Sequence, residues 1–251
     1  MFTTVGLGDF AAWWTLELNE VEAGNQRRGG WSAVCRHELA LPDGRQVGLY
    51  IKRQEDHVYR SWRHPLRGRL TAEREFRTLL QCRTVGAAAA EPVLYAEHYA
   101  NGRRRGVLVT RELAGYRALQ DLIQDWQQHG WPPPPQRRRL LQAIALVIRA
   151  LHGAHREHNS LYPKHVMVHA AWLAGEDPAQ PAPVALIDLE KSKWRWRRGS
   201  CARRDLDSLS RRSAGWSRGD RRRFLGYYLG TTGRLDASGR RLWRMLAKRG
   251  A

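Results

Sequence analysis

Two distant apolar segments, each of which ends in a charged residue, constrain the fold of this 251-residue chain more than any other feature. The first is Val47–Lys52, a short predicted strand that ends in a lysine. The second is Val184–Asp188, a predicted strand that ends in an aspartate. Between them, His158–His165 is a predicted loop with a polar residue at each end. This order predicts an early sheet that presents the lysine and a later region that presents the acid, and we expect folding to bring the two charges to one site.

Length and composition indicate the class of protein. A chain of 251 residues with 42% hydrophobic residues can form one large domain or two closely packed lobes. The sequence has no apolar run of about 18 residues, so we expect no transmembrane helix. Met1–Asp9 lacks a basic region followed by a long apolar stretch, so we expect no secretory signal. Cys35, Cys82 and Cys201 form no metal motif, which favours a reducing compartment.

The net charge of +19, from 43 Lys+Arg against 24 Asp+Glu, predicts an anionic partner. Most of the cations are arginines, which favour bidentate contact with phosphate. The candidates are a nucleic acid, an anionic membrane surface and a phosphorylated substrate. A basic surface without a specific partner is the alternative. No helix-turn-helix, zinc-finger or RNA-binding motif supports a nucleic-acid partner, and we expect none.

The first part of the chain has the pattern of a β-rich region with one helix. Asp43-Gly44 is a turn signal, because both residues tolerate positive φ. We predict a first strand at Trp13–Leu18, a glycine-rich tip at Gly24–Gly30, and a hairpin of Ser32–Leu41 with Gln46–Lys52 around this turn. An amphipathic helix at Arg69–Cys82 and a second hairpin of Val93–Tyr99 with Gly106–Thr110 follow.

The second part has the pattern of a mainly helical region. Thr110–Gly115 is a predicted hinge, and Trp131–Gln136 is a predicted stiff linker of polyproline type. A buried helix follows at Arg137–His152, and a third hairpin pairs Val166–Val168 with Val184–Ile187. A basic helical tail begins at Arg203. The fold class is therefore α+β, with a β-rich lobe at 1–112 and a mainly helical lobe at 113–251.

Lys52 and Asp188 have the chemistry of a phosphoryl-transfer site. A lysine on a sheet contacts phosphate oxygens as a compact point charge, and it needs a carboxylate to fix it. We predict that Glu75 is this carboxylate, with Glu73 as the second choice. Asp188 follows buried residues, where an acid is costly without a partner, and Mg²⁺ is the expected partner. The alternative is an ordinary lysine and an ordinary acid at the ends of strands.

The loop between the strands lacks the expected general base. In protein kinases an Asp and an Asn, separated by five positions, act as the base and as a ligand of the second metal. These positions are occupied here by Ser160 and His165. A neutral histidine can bind a metal, whereas a serine needs activation before it can act as a base. Phosphoryl transfer depends mainly on positioning and charge stabilisation, so Ser160 does not by itself exclude the reaction.

The glycine-rich tip is the predicted phosphate-covering loop. Arg28, Gly29 and Gly30 belong to it, and their backbone amides and the arginine can form an anion-binding hollow. The alternative is a flexible hairpin tip. We also assign Glu112, in the predicted hinge, to the nucleotide-binding residues.

Five segments together resemble the lipopolysaccharide kinases of Gram-negative bacteria, most closely the InaA type: Asn25–Ser32, Tyr50–Lys52, Arg74–Phe76, His158–His165 and Leu186–Glu190. The resemblance implies a protein-kinase-like two-lobed fold that uses ATP and Mg²⁺. The implied acceptor is a heptose or Kdo sugar of the lipopolysaccharide inner core.

Carried over by position, the resemblance implies roles for individual residues. Lys52 and Glu75 form the nucleotide pair, Asp188 binds metal, and His165 stands at the position of the second metal. Ser160 is the departure, because active sugar kinases of this group carry aspartate there. A catalytically weak or inactive relative, which binds nucleotide or lipopolysaccharide as a regulator, is therefore the alternative function.

The resemblance also implies a place in the cell, at the cytoplasmic face of the inner membrane. Lipopolysaccharide cores and membrane headgroups are anionic, and a basic protein is drawn to both. Lys191–Arg198 interleaves aromatic residues with cations directly after the acid-bearing strand. This segment is predicted to contact an acidic sugar or a headgroup layer. The alternative is a loop whose tryptophans pack back on the protein.

Overall fold

The first part of the chain is built on an antiparallel five-stranded sheet. In the computed structural model the strands lie in the order β1-β2-β3-β7-β6, and they comprise Glu20–Arg27, Gly30–Ala40, Gln46–Glu55, Arg103–Arg111 and Pro92–Ala100 respectively. The central strand, β3, pairs with β2 along its whole length and with β7 from Leu49 to Glu55. Lys52 lies opposite Val34 on one side and Leu108 on the other, well inside the sheet. Both hairpins predicted around Asp43-Gly44 and Asn101-Gly102 are present.

The structure describes residues 7–16, 20–27, 29–61, 64–175, 182–231 and 233–247, with only the backbone for 20–27. The chain divides into two compact units. Unit 1 comprises Met1–Leu80 and Ala90–Ala114, and unit 2 comprises Gln81–Ala89 and Gly115–Ala251. Among the described residues, no helix has the length and apolar character needed to cross a membrane.

A short helix, α1 (Phe10–Thr15), lies where the sequence predicted the first strand. The prediction was wrong because Asp9 caps this helix: its carboxylate accepts a 2.8 Å hydrogen bond from the backbone N–H of Ala12. Trp13 is 1% exposed and donates from its indole to the carbonyl of Leu7. The apolar residues of this region therefore join the core of unit 1, which contains Leu7, Trp13, Leu39, Leu41, Leu49, Ile51, Val107 and Val109.

The predicted amphipathic helix begins two residues later than expected. β4 (Val58–Ser61) and β5 (His64–Leu70) form a two-stranded ribbon, and α2 (Thr71–Thr84) follows β5 directly. Within α2, Ala72, Leu79 and Cys82 are buried. The prediction placed Leu79 and Leu80 on one apolar face of the helix, but only Leu79 is buried, and Leu80 is 42% exposed.

Unit 2 is mainly helical. Its longer helices are α3 (Leu119–His129), α4 (Pro134–Gly153), α6 (Arg198–Arg212), α7 (Arg218–Leu229) and α8 (Ala237–Ala247). α4 packs against α6 and α7 and buries Leu140, Leu141, Ile144, Ile148 and Leu151. It begins inside the segment predicted as a stiff linker, because Pro134 occupies the first helical turn, where a missing N–H is not needed.

Short strands complete unit 2 and carry the predicted site loop. β8 (Tyr116–Ala118), β10 (Val166–His169) and β11 (Val184–Leu186) form a three-stranded sheet, and the short helix α5 (Ala170–Leu173) follows β10. The pairing of β10 with β11 is the predicted third hairpin. A second ribbon pairs β9 (Arg156–Glu157) with β12 (Lys193–Trp194). The loop at 158–165 therefore joins β9 to β10 and ends in one 3₁₀ turn, Pro163–His165.

Candidate functional site

In unit 1, Lys52 of β3 forms an ion pair with Glu75 of α2. The Nζ atom of Lys52 lies 2.7 Å from Oε2 of Glu75, and the two side chains are 15% and 9% exposed. Glu73, the second choice, instead binds Arg69 at the end of β5 and Arg77 on its own helix. The partner of Lys52 is therefore Glu75, as the sequence predicted, and not Glu73. A pair so little exposed is screened weakly by salt, so it holds the ammonium group in a defined position.

A buried polar cluster fixes the beginning of α2 relative to β3. Gln54 follows Lys52 by two positions and therefore lies on the same face of the strand. Its Oε1 atom accepts a 2.9 Å hydrogen bond from the backbone N–H of Ala72, and its Nε2 atom donates to the Thr71 hydroxyl at 2.8 Å. That hydroxyl also contacts Nδ1 of His57 at 2.9 Å. Glu75 lies one turn further along α2, so the cluster positions the partner of Lys52.

The predicted phosphate-covering tip, Gly24–Gly30, is wrong in its first part, because residues 24–27 belong to strand β1. The chain reverses between Arg27 and Gly30, which pair with each other. Gly29 has φ of +76°, a conformation that favours glycine. Gly30 lies directly against the backbone of Glu55–His57, where a β-carbon would overlap those atoms. The backbone of Gly30 thus packs against the backbone at the end of β3, and this contact alone accounts for a glycine at position 30. Arg28 lies outside the described residues.

The carboxylate of Glu112 is bound by an arginine of the sheet. Nε and NH2 of Arg36 donate to its two oxygens at 2.7 and 2.9 Å. The hydrogen bond to Glu112 is the main cause that raises the pKa of Arg36. Gly48 makes room for this carboxylate, since a β-carbon there would overlap Oε2 of Glu112. The backbone N–H of Glu112 donates to the carbonyl of Gly48 at 2.9 Å, which continues the pairing of β7 with β3.

In unit 2, Asp205 of α6 holds the start of the site loop. Its Oδ2 and Oδ1 atoms accept hydrogen bonds from the backbone N–H groups of His158 and Asn159, at 2.6 and 2.9 Å. The Nε2 atom of His152 lies 3.0 Å from Oδ2 of the same carboxylate, and Nδ1 of His152 contacts the Tyr228 hydroxyl at 2.9 Å. Asp205 is fully buried, and these contacts compensate for the burial of its charge.

His158 and His165 stack and join the loop to the acid-bearing segment. Their rings are 5.8 Å apart and nearly parallel, at 2°. Nε2 of His158 lies 3.1 Å from the carbonyl oxygen of Ile187, and the N–H of Ile187 donates to the carbonyl of His165 at 3.1 Å. Burial lowers the pKa of His158, which favours its neutral form. The next residue, Asp188, has φ of +57°, which directs the chain out of the strand.

His165 and Asp188 lie close enough together for one cation to bind to both side chains. Nδ1 of His165 lies 2.7 Å from the carbonyl oxygen of Ser160, so Nδ1 carries the proton. Nε2 of His165 lies 3.2 Å from Oδ2 of Asp188. Burial lowers the pKa of His165, and the charge of Asp188 acts in the opposite direction. In its neutral form the ring presents a lone pair to a carboxylate, an arrangement that a cation can bridge.

Two side chains are too few to hold a metal whose ligands all come from the protein, but they are enough for Mg²⁺. The described residues contain no group of three or more His, Cys, Asp or Glu side chains placed to hold a metal. Mg²⁺ typically takes one or two protein ligands and completes its shell with water and substrate phosphate. Asp188 is 30% exposed, so its carboxylate is accessible for such a shared shell.

Ser160 takes part in the loop through its backbone. Its carbonyl oxygen accepts from His165, and the residue is only 3% exposed. Lys164 and Lys191 are near enough to contribute to lowering the pKa of His165. The surroundings of the loop are therefore cationic, as the binding of a phosphate requires.

Sequence reasoning missed Asp205, His152 and Gln54. The signal for Asp205 was present in α6, where Cys201, Ala202, Leu206 and Leu209 are buried on one face. An acid that shares such an apolar face needs several hydrogen bonds, and this requirement identifies it as a structural acid. Gln54 left no comparable signal, because its partners, Thr71 and the N–H of Ala72, depend on the tertiary structure.

The chain resembles known proteins over most of its length. Residues 11–228 match the family described as the lipopolysaccharide kinase (Kdo/WaaP) family. Protein InaA of Escherichia coli K12 is 31% identical over 206 residues, which are 81% of this chain and 87% of InaA. The lipopolysaccharide core heptose(I) kinase WaaP of Pseudomonas aeruginosa is 30% identical over 167 residues, which are 63% of this chain and 59% of that protein.

A solved structure has the same mixed α/β architecture. WaaP in complex with acyl carrier protein superposes with a TM-score of 0.69 and 25% sequence identity. The match covers 99% of this chain and 93% of that one.

Proposed function

Because this chain belongs to the lipopolysaccharide kinase (Kdo/WaaP) family, we propose that it is an ATP-dependent kinase that phosphorylates a heptose or Kdo sugar of the lipopolysaccharide inner core. In this proposal the mixed α/β structure is a protein-kinase-like fold, with an N-lobe at 1–112 and a C-lobe at 113–251. The proposed place of action is the cytoplasmic face of the inner membrane. The similarity to enzymes named as heptose(I) kinases supports the choice of a sugar acceptor.

The ion pair between Lys52 and Glu75 is the observation that carries the proposal. Its 2.7 Å separation fixes an ammonium group on the central strand of a sheet, in the way a nucleotide-binding lysine requires. Arg28, Gly29 and Gly30 are proposed to cover the phosphates with backbone amides. Glu112 is proposed to contact the nucleotide through its backbone, because Arg36 binds its carboxylate.

Asp188 and His165 are the proposed ligands of Mg²⁺. When bound, the ion would neutralise negative charge on the phosphates and orient them. Asp188 would contribute its accessible carboxylate, and His165 would contribute Nε2. The hydrogen bond from Nδ1 of His165 to the carbonyl oxygen of Ser160 holds the ring so that Nε2 faces the carboxylate of Asp188.

The step in doubt is proton removal from the acceptor sugar. Ser160 occupies the position of the catalytic aspartate in the family, and a serine hydroxyl is a poor base at neutral pH. We propose that the chain transfers phosphate mainly through positioning and charge stabilisation, at a reduced rate. The alternative function is a regulator that binds nucleotide or lipopolysaccharide without turnover, and the buried serine at position 160 is the observation that favours it.

A matched pair of substitutions on α2 tests the nucleotide site. We expect Glu75→Gln and Lys52→Ala to weaken Mg-ATP binding by at least tenfold, since each disrupts the ion pair. Glu73→Gln is the control, because Glu73 binds only Arg69 and Arg77 among the contacts described above. Isothermal titration with Mg-ATP measures the effect. If all three variants bind Mg-ATP as the unaltered protein does, the site assignment is wrong.

Transfer is tested separately with dephosphorylated core lipopolysaccharide and radiolabelled ATP. We expect slow transfer by the unaltered protein, no transfer by Asp188→Ala, and faster transfer by Ser160→Asp. Binding of Mg-ATP without transfer, both in the unaltered protein and in Ser160→Asp, would favour the regulatory function.

A further inference from the structure

The ribbon formed by β9 and β12 continues directly into both parts of the proposed site in unit 2. Lys193 pairs with Glu157, and Trp194 pairs with Arg156. β9 leads into His158 at the start of the site loop, and β12 follows the segment that contains Asp188. A ligand that binds this ribbon therefore lies next to the loop in the chain.

Buried contacts hold the ribbon in place. The fully buried carboxylate of Glu157 binds Arg195, and Arg204 lies 3.4 Å from its other oxygen. The N–H of Arg195 donates to the carbonyl of His155 at 2.8 Å. Nδ2 of Asn159 donates to the carbonyl of Lys191 at 3.1 Å. These bonds fix the backbone before Trp194 and between Trp194 and Trp196.

Trp194 and Trp196 are exposed on this fixed frame. They are 53% and 80% exposed, and their rings meet edge to face at 5.7 Å. The alternative in which both tryptophans pack back on the protein is wrong for Trp196, whereas Trp194 keeps one face stacked on the ring of His155, at 6.1 Å. Two adjacent exposed indoles indicate a surface that another molecule covers. Tryptophan favours the headgroup layer of a membrane, because it has an apolar ring and a polar N–H.

Exposed cations surround the tryptophans. Lys193, Arg197 and Arg198 are all exposed. Arg197 caps α6, Arg198 is its first residue, and the first turn of α6 contains no acid. Cations at this end oppose the helix macrodipole, so helix stability does not account for them. They add to the positive potential at the beginning of α6, which attracts anions.

We propose that the segment Lys191–Arg198 docks unit 2 on an anionic lipid surface. Trp194 and Trp196 enter the headgroup layer, and Lys193, Arg197 and Arg198 contact lipid phosphates. A small free anion would need convergent, desolvated cations, whereas these cations are exposed beside two indoles, a combination that fits an extended headgroup layer. The inference deepens the proposed function, because it identifies how a kinase of this kind would reach an acceptor that is part of a lipid.

Vesicle sedimentation in the absence of nucleotide tests the docking surface. We expect the unaltered protein to bind vesicles of phosphatidylglycerol and phosphatidylethanolamine, to bind phosphatidylcholine vesicles weakly, and to dissociate as salt is raised. Trp194→Ser/Trp196→Ser is expected to lower the partition coefficient by about tenfold. Arg197→Glu/Arg198→Glu is expected to lower it by on the order of 20-fold, since each cation near an anionic surface contributes about fivefold.

Two controls match these variants. Arg138→Glu/Arg139→Glu changes two adjacent exposed arginines near the start of α4, and Tyr99→Ser removes an exposed aromatic ring from unit 1. Both should bind vesicles within about twofold of the unaltered protein. Equal binding by the double-tryptophan variant, or sedimentation of the unaltered protein with neither vesicle, would overturn the proposal.

An acidic protein is the competing partner, and purified acyl carrier protein is its probe. Binding of this probe through Trp194 and Trp196, without vesicle binding, would also overturn the lipid assignment. None of these binding experiments contains nucleotide, so a lack of vesicle binding leaves the conclusions from the Mg-ATP titrations unaffected. A protein without kinase activity can still bind vesicles through this segment.

Discussion

The side-chain oxygen of Gln54 accepts a 2.9 Å hydrogen bond from the backbone N–H of Ala72. This bond joins the central strand of the sheet to the first turn of α2, and it occurs on the same strand face as Lys52. Gln54 therefore joins β3 to the first turn of α2 through both Ala72 and Thr71, and the ion pair of Lys52 with Glu75 joins the same two elements one turn further along. The polar cluster thus fixes the first turn of α2 on the sheet.

The first prediction concerns this cluster. Gln54→Leu leaves the N–H of Ala72 and the hydroxyl of Thr71 without their buried partner, which costs about 2–3 kcal/mol of unfolding free energy. We also expect weaker Mg-ATP binding, because Glu75 loses its fixed position. Urea unfolding and titration with Mg-ATP measure the two effects. Gln142→Leu changes an exposed glutamine of α4 and should alter stability by less than about 0.5 kcal/mol. Equal stability of the two variants would contradict the role of Gln54.

The second prediction concerns Asp205. Asp205→Asn replaces one of the acceptor oxygens with a donor, opposite the N–H groups of His158 and Asn159 or the ring of His152. We expect a loss of about 3 kcal/mol, which lowers the melting temperature by about 6–12 °C for a chain of this size. Asp125→Asn is the charge-matched control. Asp125 forms an exposed ion pair with Arg117, and such pairs contribute at most about 1 kcal/mol. A similar melting temperature for both variants would rule out the proposed support of the loop.

The third prediction contrasts two glycines. Gly30→Ala places a methyl group against the backbone of Glu55–His57, which cannot move as a side chain can, and we expect a loss of more than about 2 kcal/mol. Gly199→Ala in α6 meets no atom within 4 Å and should stabilise the protein by about 0.5–1 kcal/mol. Chemical denaturation of both variants distinguishes them. A stable Gly30→Ala protein would show that the turn before β2 can move away from β3.

The fourth prediction concerns acid sensitivity. The pKa values of His158 and His165 both lie below 6.5 in the folded protein, mainly because the rings are buried. Between these folded values and 6.5 the unfolded chain binds more protons, so stability falls as the pH drops through this window. Each histidine contributes at most about 1.4 kcal/mol per pH unit. Urea unfolding between pH 7.5 and 5.5 measures the slope. His158→Gln should reduce the slope, and an unchanged slope would show that the ring is not charged on unfolding in this range.

Local patterns predicted the strands of the three hairpins and the helices α2 and α4, but not β1 or the ribbons β4–β5 and β9–β12. The hairpins follow from turn residues between alternating strands, and α4 follows from its apolar period. Pattern also identified Glu75 as the partner of Lys52, because the order of parts in a known type of site guided the choice. The strand predicted at Trp13–Leu18 is wrong for residues 13–15, since a single cap at Asp9 favours a helix there, and residues 17 and 18 lie outside the described residues.

The supporting residues could not be predicted in the same way. The buried face of α6 could have identified Asp205 as a structural acid. The backbone groups on which Gln54 and Asp205 act are distant in sequence, however, and no periodicity identifies them. The roles of Lys52, Asp188 and the other site residues in catalysis remain predictions. Tertiary hydrogen bonds of this kind become visible only when the chain is folded.

The contacts described for the site loop use the backbone at position 160. Asp205 binds the two preceding amides, and His165 binds the carbonyl group of Ser160. The loop can therefore keep its shape when the side chain at this position changes. In the proposed function, one substitution at position 160 would therefore change turnover while these backbone bonds of the loop are kept. The same independence makes position 160 a suitable place for a designer to install a switchable reactive group.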